Sequence, residues 1–86
     1  MSRYTVVSTP EAEDDLALIW ANDKERSQIS KAANEADRLR ADNPLQDSTY
    51  LSEQLRRRDV PPLRFYFEVR GEDRVVVISN VARLPD

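Results

Sequence analysis

The sequence has no cysteine and no histidine among its 86 residues. The absence of cysteine excludes a disulfide framework and thiolate chemistry, and it is typical of a cytoplasmic protein. The absence of histidine removes the side chain that most often transfers protons at neutral pH and most often ligates metals. We therefore expect no metal site and no cofactor, and any catalysis has to use other side chains.

Long apolar runs and a basic excess are also missing. No segment approaches the roughly 20 apolar residues needed to cross a bilayer, and the N-terminus lacks a signal-peptide layout, so we expect no membrane partner. The net charge of −3 does not favour a nucleic-acid partner overall. The charge is uneven, because residues 1–50 hold six Lys/Arg against ten Asp/Glu and residues 51–86 hold seven Arg against six Asp/Glu. A locally basic surface can exist in the second part, although ordinary solvated charges explain the count equally well.

The length fits a single domain over residues 1–86, and its first half predicts one strand and two helices. Residues 3–8 predict a short strand, and Thr9 followed by proline marks a helix start. A second helix is predicted over residues 24–41 and ends at Asp42-Asn43-Pro44. The predicted core-facing residues of these three elements are Tyr4, Val6, Val7, Ala12, Leu16, Ile19, Trp20, Ile29, Ala33, Ala36 and Leu39.

The last third of the sequence predicts a β-hairpin. Residues 60–70 and 73–83 have strand patterns, and the only glycine, Gly71, lies between them at the turn. Residues 50–58 predict a weaker strand, and Pro61-Pro62 removes backbone donors before the next strand. The order of elements predicts an α+β fold, in which a two-helix hairpin packs on one face of a small antiparallel sheet.

The hairpin register predicts where the arginines point. A two-residue turn pairs Arg70 with Asp73, which places Arg64 opposite Ser79 and on the same face as Arg83. That face is expected to be free of helices, because the apolar residues of the hairpin occupy the other one. At roughly 3.3 Å per residue, the Cα atoms of Arg64 and Arg83 would lie about 13–14 Å apart, so that both side chains can reach one nucleotide-sized anion.

Tyr66 lies beside Arg64 and offers a ring for stacking and a hydroxyl for hydrogen bonding. The plainer interpretation is that Arg64 and Glu68 form salt bridges on an exposed sheet face. The residues alone favour this plainer interpretation over a ligand site.

Five segments occur in an order and spacing typical of one known family. They are Tyr4-Thr-Val-Val, Thr9-Pro-Glu-Ala-Glu-Asp-Asp-Leu, Asp42-Asn43-Pro44, Pro62-Leu-Arg-Phe-Tyr-Phe-Glu-Val and Asp73-Arg-Val-Val-Val-Ile-Ser-Asn-Val-Ala-Arg83. With these segments the sequence resembles the RelE/ParE superfamily of bacterial type II toxin–antitoxin toxins over nearly its whole length. The resemblance implies a small antiparallel sheet with a helical hairpin on one face, and a cognate antitoxin protein that wraps the toxin.

The resemblance implies two activities and a set of site residues. RelE-like members cut mRNA on the ribosome, ParE-like members inhibit DNA gyrase, and a decayed member would bind only its antitoxin. Arg64 matches the central-strand arginine of the family and Arg83 its last-strand arginine, which makes both candidate catalytic residues. The candidate RNA-binding residues are Arg56, Arg57 and Arg58, which match basic residues on the preceding strand, and Tyr66.

RNA cleavage by the 2′-hydroxyl also needs a general base and a general acid. Arginine stabilises the phosphate charge well but stays protonated, so it is a poor base. The candidates for proton transfer are Glu53, Glu68, Tyr50, Tyr66 and a ribosomal group. Loss of one acid or base costs about 10²–10⁴ in rate, and the sequence ends at Leu84-Pro85-Asp86, where nuclease members of the family usually have a terminal tyrosine or a histidine–tyrosine pair. We therefore expect weak or absent nuclease activity, and mRNA binding or cleavage, gyrase inhibition and antitoxin binding alone remain alternatives.

An antitoxin partner is also expected on physical grounds. Small domains of this kind leave apolar grooves beside their helices, and an extended or helical segment can fill such a groove. Leu45, Tyr50 and Leu51 are the candidates for lining it.

Overall fold

The computed structural model describes residues 3–45, 48–52 and 54–85, with only the backbone of Arg40. Its elements are β1 (Thr5–Ser8), α1 (Pro10–Asn22), α2 (Arg26–Asp42), β2 (Thr49–Ser52), β3 (Leu55–Val60), β4 (Leu63–Arg70) and β5 (Val75–Arg83). One sheet contains the strands in the order β1-β5-β4-β3-β2, with β1 parallel to β5 and the other neighbours antiparallel. The predicted α+β fold with a helical hairpin is confirmed, but the sheet is mixed rather than wholly antiparallel, because β1 is parallel to β5.

The helices begin and end close to their signals in the sequence. The Thr9 hydroxyl caps α1 by accepting a hydrogen bond of 3.2 Å from the backbone N–H of Ala12, and proline occupies the first turn. The helix α2 ends at Asp42, directly before Asn43-Pro44, as predicted, but it begins at Arg26 rather than at residue 24. Within the described residues, neither helix has the length and apolar character to cross a membrane.

The core lies between the two helices and one face of the sheet. Its buried side chains come from alternate strand positions, as expected for a sheet covered on one side. They are Ala12, Ile29, Ala32, Ala36, Val60, Leu63, Phe65, Phe67, Val76, Ile78 and Val81. The prediction is wrong for Trp20 and Val7, which are 44% and 42% exposed.

The opposite face of the sheet is called the open face below, because neither of the described helices covers it. The strand register assigns to it Leu55, Arg57 and Asp59 of β3, Arg64, Tyr66, Glu68 and Arg70 of β4, and Val75, Val77, Asn80 and Ala82 of β5. Arg64, Tyr66 and Glu68 thus lie together on this face, as the hairpin register predicts.

The segment predicted as one strand over residues 50–58 forms two strands. The strands β2 and β3 are antiparallel, with Tyr50 opposite Arg56, and the chain reverses at Gln54, whose φ is 75°. Glutamine is not a usual residue in the left-handed region, where glycine and asparagine predominate. The sequence therefore carries no turn signal at this position.

The β4–β5 hairpin has a longer turn than predicted. The turn ends at Arg74, which has a φ of 53°, and Arg70 consequently pairs with Val75 rather than with Asp73. A shift of two residues keeps each side chain on its predicted face, because side chains alternate with a period of two. Phe67 thus faces the core, as predicted.

A β-bulge at Ser79 then reverses the faces of the second half of β5. Phe67 pairs with Ile78, but the preceding residue on β4, Tyr66, pairs with Asn80, which leaves Ser79 as an extra residue. One extra residue moves all later side chains of that strand to the opposite face. The burial pattern of β5 changes parity at the same position.

Candidate functional site

The structure divides the predicted site residues between the two faces of the sheet. Arg57, Arg64 and Tyr66 lie on the open face, where each is partly exposed. The other predicted residues, Arg56, Arg58 and Arg83, lie at strand positions that face the helices. The predicted site residues on the open face therefore come from β3 and β4 rather than from both strands of the β4–β5 hairpin.

Arg64 is held by a carboxylate that the sequence reasoning missed. Asp59 lies directly opposite Arg64 on β3, and it accepts two hydrogen bonds, from Nε at 2.7 Å and from Nη2 at 3.1 Å. The bond from Arg64 holds the pKa of Asp59 below its usual value. The pKa of Arg64 is raised, first by its hydrogen bond to Asp59 and then by its interaction with Tyr66. These three side chains form one connected polar group.

Arg57 adds a second guanidinium next to this group. It lies opposite Tyr66, and Asn80 lies on the other side of Tyr66, so that the three side chains form a row across three strands. Arg57 also lowers the pKa of Asp59 through its charge. Among the described residues, Arg57 has no ion pair or hydrogen-bonding partner, whereas Arg70 is paired with Glu68 at 3.1 Å.

The bulge places Arg83 on the side of the helices. Arg83 lies opposite the buried Leu63, and its Nε donates a hydrogen bond of 2.7 Å to Oδ2 of Asp23, while its Nη1 donates one of 2.7 Å to the carbonyl of Leu84. The bond from Arg83 lowers the pKa of Asp23. The prediction that Arg64 and Arg83 share the helix-free face is wrong, and the two arginines do not converge on one anion.

The three consecutive arginines also do not act as one patch. Only Arg57 points to the open face, because neighbouring side chains on a strand alternate. Arg56 stacks over the Tyr50 ring at 5.7 Å and donates a hydrogen bond of 3.2 Å to the Ser48 hydroxyl. Arg58 lies opposite the buried Phe65.

Contacts with α1 hold the bulge in place. The Thr9 hydroxyl donates a hydrogen bond of 3.1 Å to the Ser79 carbonyl. Asp15 accepts hydrogen bonds from the Val81 backbone N–H at 3.0 Å and from Nδ2 of Asn80 at 3.3 Å. The strand β1 ends before this level of β5, so Asp15 satisfies a backbone donor that would otherwise lie on an unpaired strand edge. The helix thus fixes the strand geometry that directs Arg83.

A groove of about 560 Å³ lies between the two helices. It is lined by Glu13, Leu16, Ala17, Trp20, Ile29, Ser30, Ala33 and Asn34, which are mostly apolar. The Trp20 indole N–H donates a hydrogen bond of 3.2 Å to the Ser30 hydroxyl, and the Arg26 guanidinium lies 4.8 Å from the centre of the Trp20 ring. The predicted candidates Leu45, Tyr50 and Leu51 are exposed but do not line this groove.

The chain is similar to known proteins in structure rather than in sequence. No protein-family model matches the sequence, and no curated protein matches it significantly. A chain of the toxin–antitoxin complex RelBE2 from Mycobacterium tuberculosis superposes with a TM-score of 0.79 at 22% identity, over 94% of this chain and 98% of that chain. The YoeB/ParE toxin from Agrobacterium tumefaciens gives a TM-score of 0.71 at 18% identity, over 95% of this chain and 99% of that chain. The chromosomal ParDE system from P. aeruginosa gives 0.70 at 19% identity, over 96% and 98%.

The chain has the RelE/ParE fold. The fold implied by the sequence resemblance is thereby confirmed. The structures that share the RelE/ParE fold carry both RelE and ParE names, so the fold by itself does not select one of the two activities.

The groups available for proton transfer are few in this version of the RelE/ParE fold. Glu68 lies on the open face but is paired with Arg70, and Tyr50 lies on the side of Arg56, away from the open face. Glu53 lies outside the described residues. Tyr66 is the one predicted proton-transfer candidate that the described structure places beside Arg64. Among the described residues, no three acidic side chains are grouped in a way that could hold a metal ion.

Proposed function

We propose that this protein is the toxin of a toxin–antitoxin pair. The observation that carries the proposal is the RelE/ParE fold, which extends over 94% of this chain in the superposition on the RelBE2 complex. Two features of this chain support it independently of the likeness. They are an apolar groove that fits a partner segment and a polar open face that fits an anionic target.

The antitoxin is proposed to occupy the groove between α1 and α2. A groove bounded by two helices accepts the apolar side of an amphipathic helix, whose residues i, i+3 or i+4, and i+7 lie on one side. Leu16 and Ala33 give the groove an apolar floor, and Trp20 gives it an aromatic wall. The carboxylate of Glu13 at the rim suits a basic residue on the incoming helix.

Growth measurements test the toxin assignment and the groove together. Induced expression of the protein in a bacterial host should arrest growth, and coexpression of the adjacent open reading frame should restore it. Ala17→Arg puts a long charged side chain into the groove from an exposed helix position, so it should keep the arrest and lose the rescue. Leu18→Arg is the matched control, because Leu18 is 63% exposed and does not line the groove.

Two results would contradict these assignments. If the folded wild-type protein does not arrest growth, the toxin assignment is rejected. Equal rescue of the Ala17→Arg and Leu18→Arg variants would reject the groove as the antitoxin site and leave the toxin assignment standing.

The proposed target is mRNA, in the manner of RelE-like toxins. Arg57, Arg64 and Tyr66 together supply two guanidinium groups and an aromatic ring on one face. This combination suits single-stranded RNA, because guanidinium groups bind its phosphates and an aromatic ring stacks on its bases. Arg64 is the proposed catalytic arginine, since it is the predicted catalytic residue that belongs to this group. A catalytic role for Arg83 stays a prediction, and its contacts with Asp23 favour a positioning role through the end of β5.

Gyrase inhibition is the second candidate, and a specific observation favours it. Both predicted catalytic arginines are ion-paired within the chain, at 2.7 Å each, and this arrangement is more compatible with binding than with cleavage. Cleaved mRNA and arrested translation after induction would support the RelE-like activity. A DNA-damage response with intact mRNA would support the ParE-like activity and reject the mRNA target.

A further inference from the structure

The Asp59 carboxylate takes two hydrogen-bond donors of Arg64 on the open face. It accepts two parallel hydrogen bonds from Arg64, at 2.7 and 3.1 Å, and this forked geometry is the one that arginine also uses for phosphate. The Asp59 side chain is 41% exposed and the Arg64 side chain is 27% exposed, so the pair is accessible from solvent. An anion from outside therefore meets Arg64 already occupied by an anion from within the chain.

The surroundings of Asp59 are those of an anion site rather than of an isolated surface pair. Arg57 lies two residues before Asp59 on the same face of β3, and its charge acts on the Asp59 carboxylate. Tyr66 lies opposite Arg57 and two residues after Arg64 on the same face of β4, so an aromatic residue lies beside both guanidinium groups. Two guanidinium groups and an aromatic residue therefore lie on the same face as this single carboxylate.

We propose that Asp59 is an intramolecular competitor for phosphate at the Arg57–Arg64 site. This inference rests on the proposed binding of mRNA by the open face. The ligand class is a single-stranded nucleic acid, whose phosphodiester group would take the two Arg64 hydrogen bonds as Asp59 turns away into solvent. The carboxylate lowers the affinity of the resting protein for nucleic acid and so limits unspecific binding.

Charge supports this competition. The open face has three arginines, Arg57, Arg64 and Arg70, and two acidic residues, Asp59 and Glu68. Removing one acidic residue raises the net charge of this face from +1 to +2, whichever of the two is removed. A competitor at the site has a larger effect than this general change, because it also releases the two donors of Arg64.

Fluorescence anisotropy with a short fluorescein-labelled single-stranded RNA tests the proposal. The variant Asp59→Asn should bind this RNA roughly tenfold more tightly than the wild type at low salt, and the gain should shrink as salt is added. The matched control is Glu68→Gln, which removes the same charge from the same face but leaves the Arg64 pair intact. It should gain much less affinity. The double variant Asp59→Asn with Arg64→Ala should lose the gain.

Three outcomes would overturn the proposal. They are unchanged RNA affinity of Asp59→Asn, equal gains for Asp59→Asn and Glu68→Gln, and a gain that persists in the double variant. Thermal melting of each variant shows whether it is folded, and Asp59→Ser serves as a second variant that removes the carboxylate with a smaller side chain.

The same measurements with single-stranded DNA of equal sequence identify the chemical source of the recognition. Equal gains for RNA and DNA would assign the contact to the phosphodiester group that both share. A larger gain for RNA would add the 2′-hydroxyl to the contact. The binding result does not depend on growth arrest, so failure of the toxin assignment and failure of the competitor can be told apart.

Discussion

Two arginine–aspartate pairs with the same closest distance hold different parts of this molecule. Arg64 and Asp59 are 2.7 Å apart, lie five residues apart along the chain and join two neighbouring strands. Arg83 and Asp23 are also 2.7 Å apart, but they join the last strand to the turn between the helices, 60 residues away. The first pair adds a bond where a tight hairpin already fixes the geometry. The second connects two layers of the fold.

The carboxylate of the pair that connects the two layers is also the more buried of the two. The Asp23 side chain is 13% exposed and the Asp59 side chain is 41% exposed. Exposed ion pairs contribute little to stability, because water and salt replace the partner at low cost. The comparison teaches that the same pair of side chains connects two layers of the fold at the end of β5 but remains accessible to solvent on the open face.

The largest effect is expected when the bulge that separates the two arginines is destabilised. Asp15→Ala leaves the partly buried backbone N–H of Val81 without its acceptor, and an unsatisfied buried donor costs about 1–3 kcal/mol. For a domain of this size, each kcal/mol lowers Tm by about 4–8 °C. Thermal melting of the variant measures the loss.

The control for this change is Asp14→Ala, which removes an exposed carboxylate from the adjacent position of α1. Surface substitutions of this kind stay within about 0.5 kcal/mol. Equal melting temperatures for the Asp15 and Asp14 variants would show that the Asp15 contact does not stabilise the bulge.

A smaller effect is expected from truncating each arginine in turn. Arg83→Ala should lower Tm by several degrees, because it releases the end of β5 from the helical turn and removes the bond to the Leu84 carbonyl. Arg64→Ala should change Tm by only about 1–2 °C, as an exposed pair within a hairpin contributes little. The two variants lose the same charge, so each controls for the other. A larger loss from Arg64→Ala would reverse the comparison.

The sequence predicted the parts of the fold that depend on local signals. The start of α1 follows from the Thr9 cap, and the end of α2 follows from Asn43-Pro44. The core face of β4 follows from the alternation of Leu63, Phe65 and Phe67. Each of these signals acts within a few residues, where propensity and periodicity are informative.

The position of Arg83 could not be predicted, because it depends on contacts between distant residues. The extra residue at Ser79 is stabilised by Thr9 and Asp15, which are 70 and more than 60 residues away in sequence. Nothing in the pattern of β5 marks a bulge, since Val76 to Val81 is a continuous strand sequence. The role of Asp59 was missed for a related reason, since its partner is known only once the β3–β4 register is known.

The smallest effect on Tm is expected from lowering the pH, and it refines the comparison of the two carboxylates. The pKa values of Asp23 and Asp59 lie below their usual value of 3.8, so each pair stabilises the folded state above that pH and loses this contribution as the pH falls through the lowered pKa. Tm should therefore be insensitive to these groups from neutral pH down to about pH 5 and should fall once the pH drops below the usual value of 3.8. The variants Asp23→Asn and Asp59→Asn should each have a shallower fall than the wild type. The change should be greater for Asp23→Asn, because that pair joins the sheet to the helices, and equal slopes for the two variants would mean that the two pairs contribute alike.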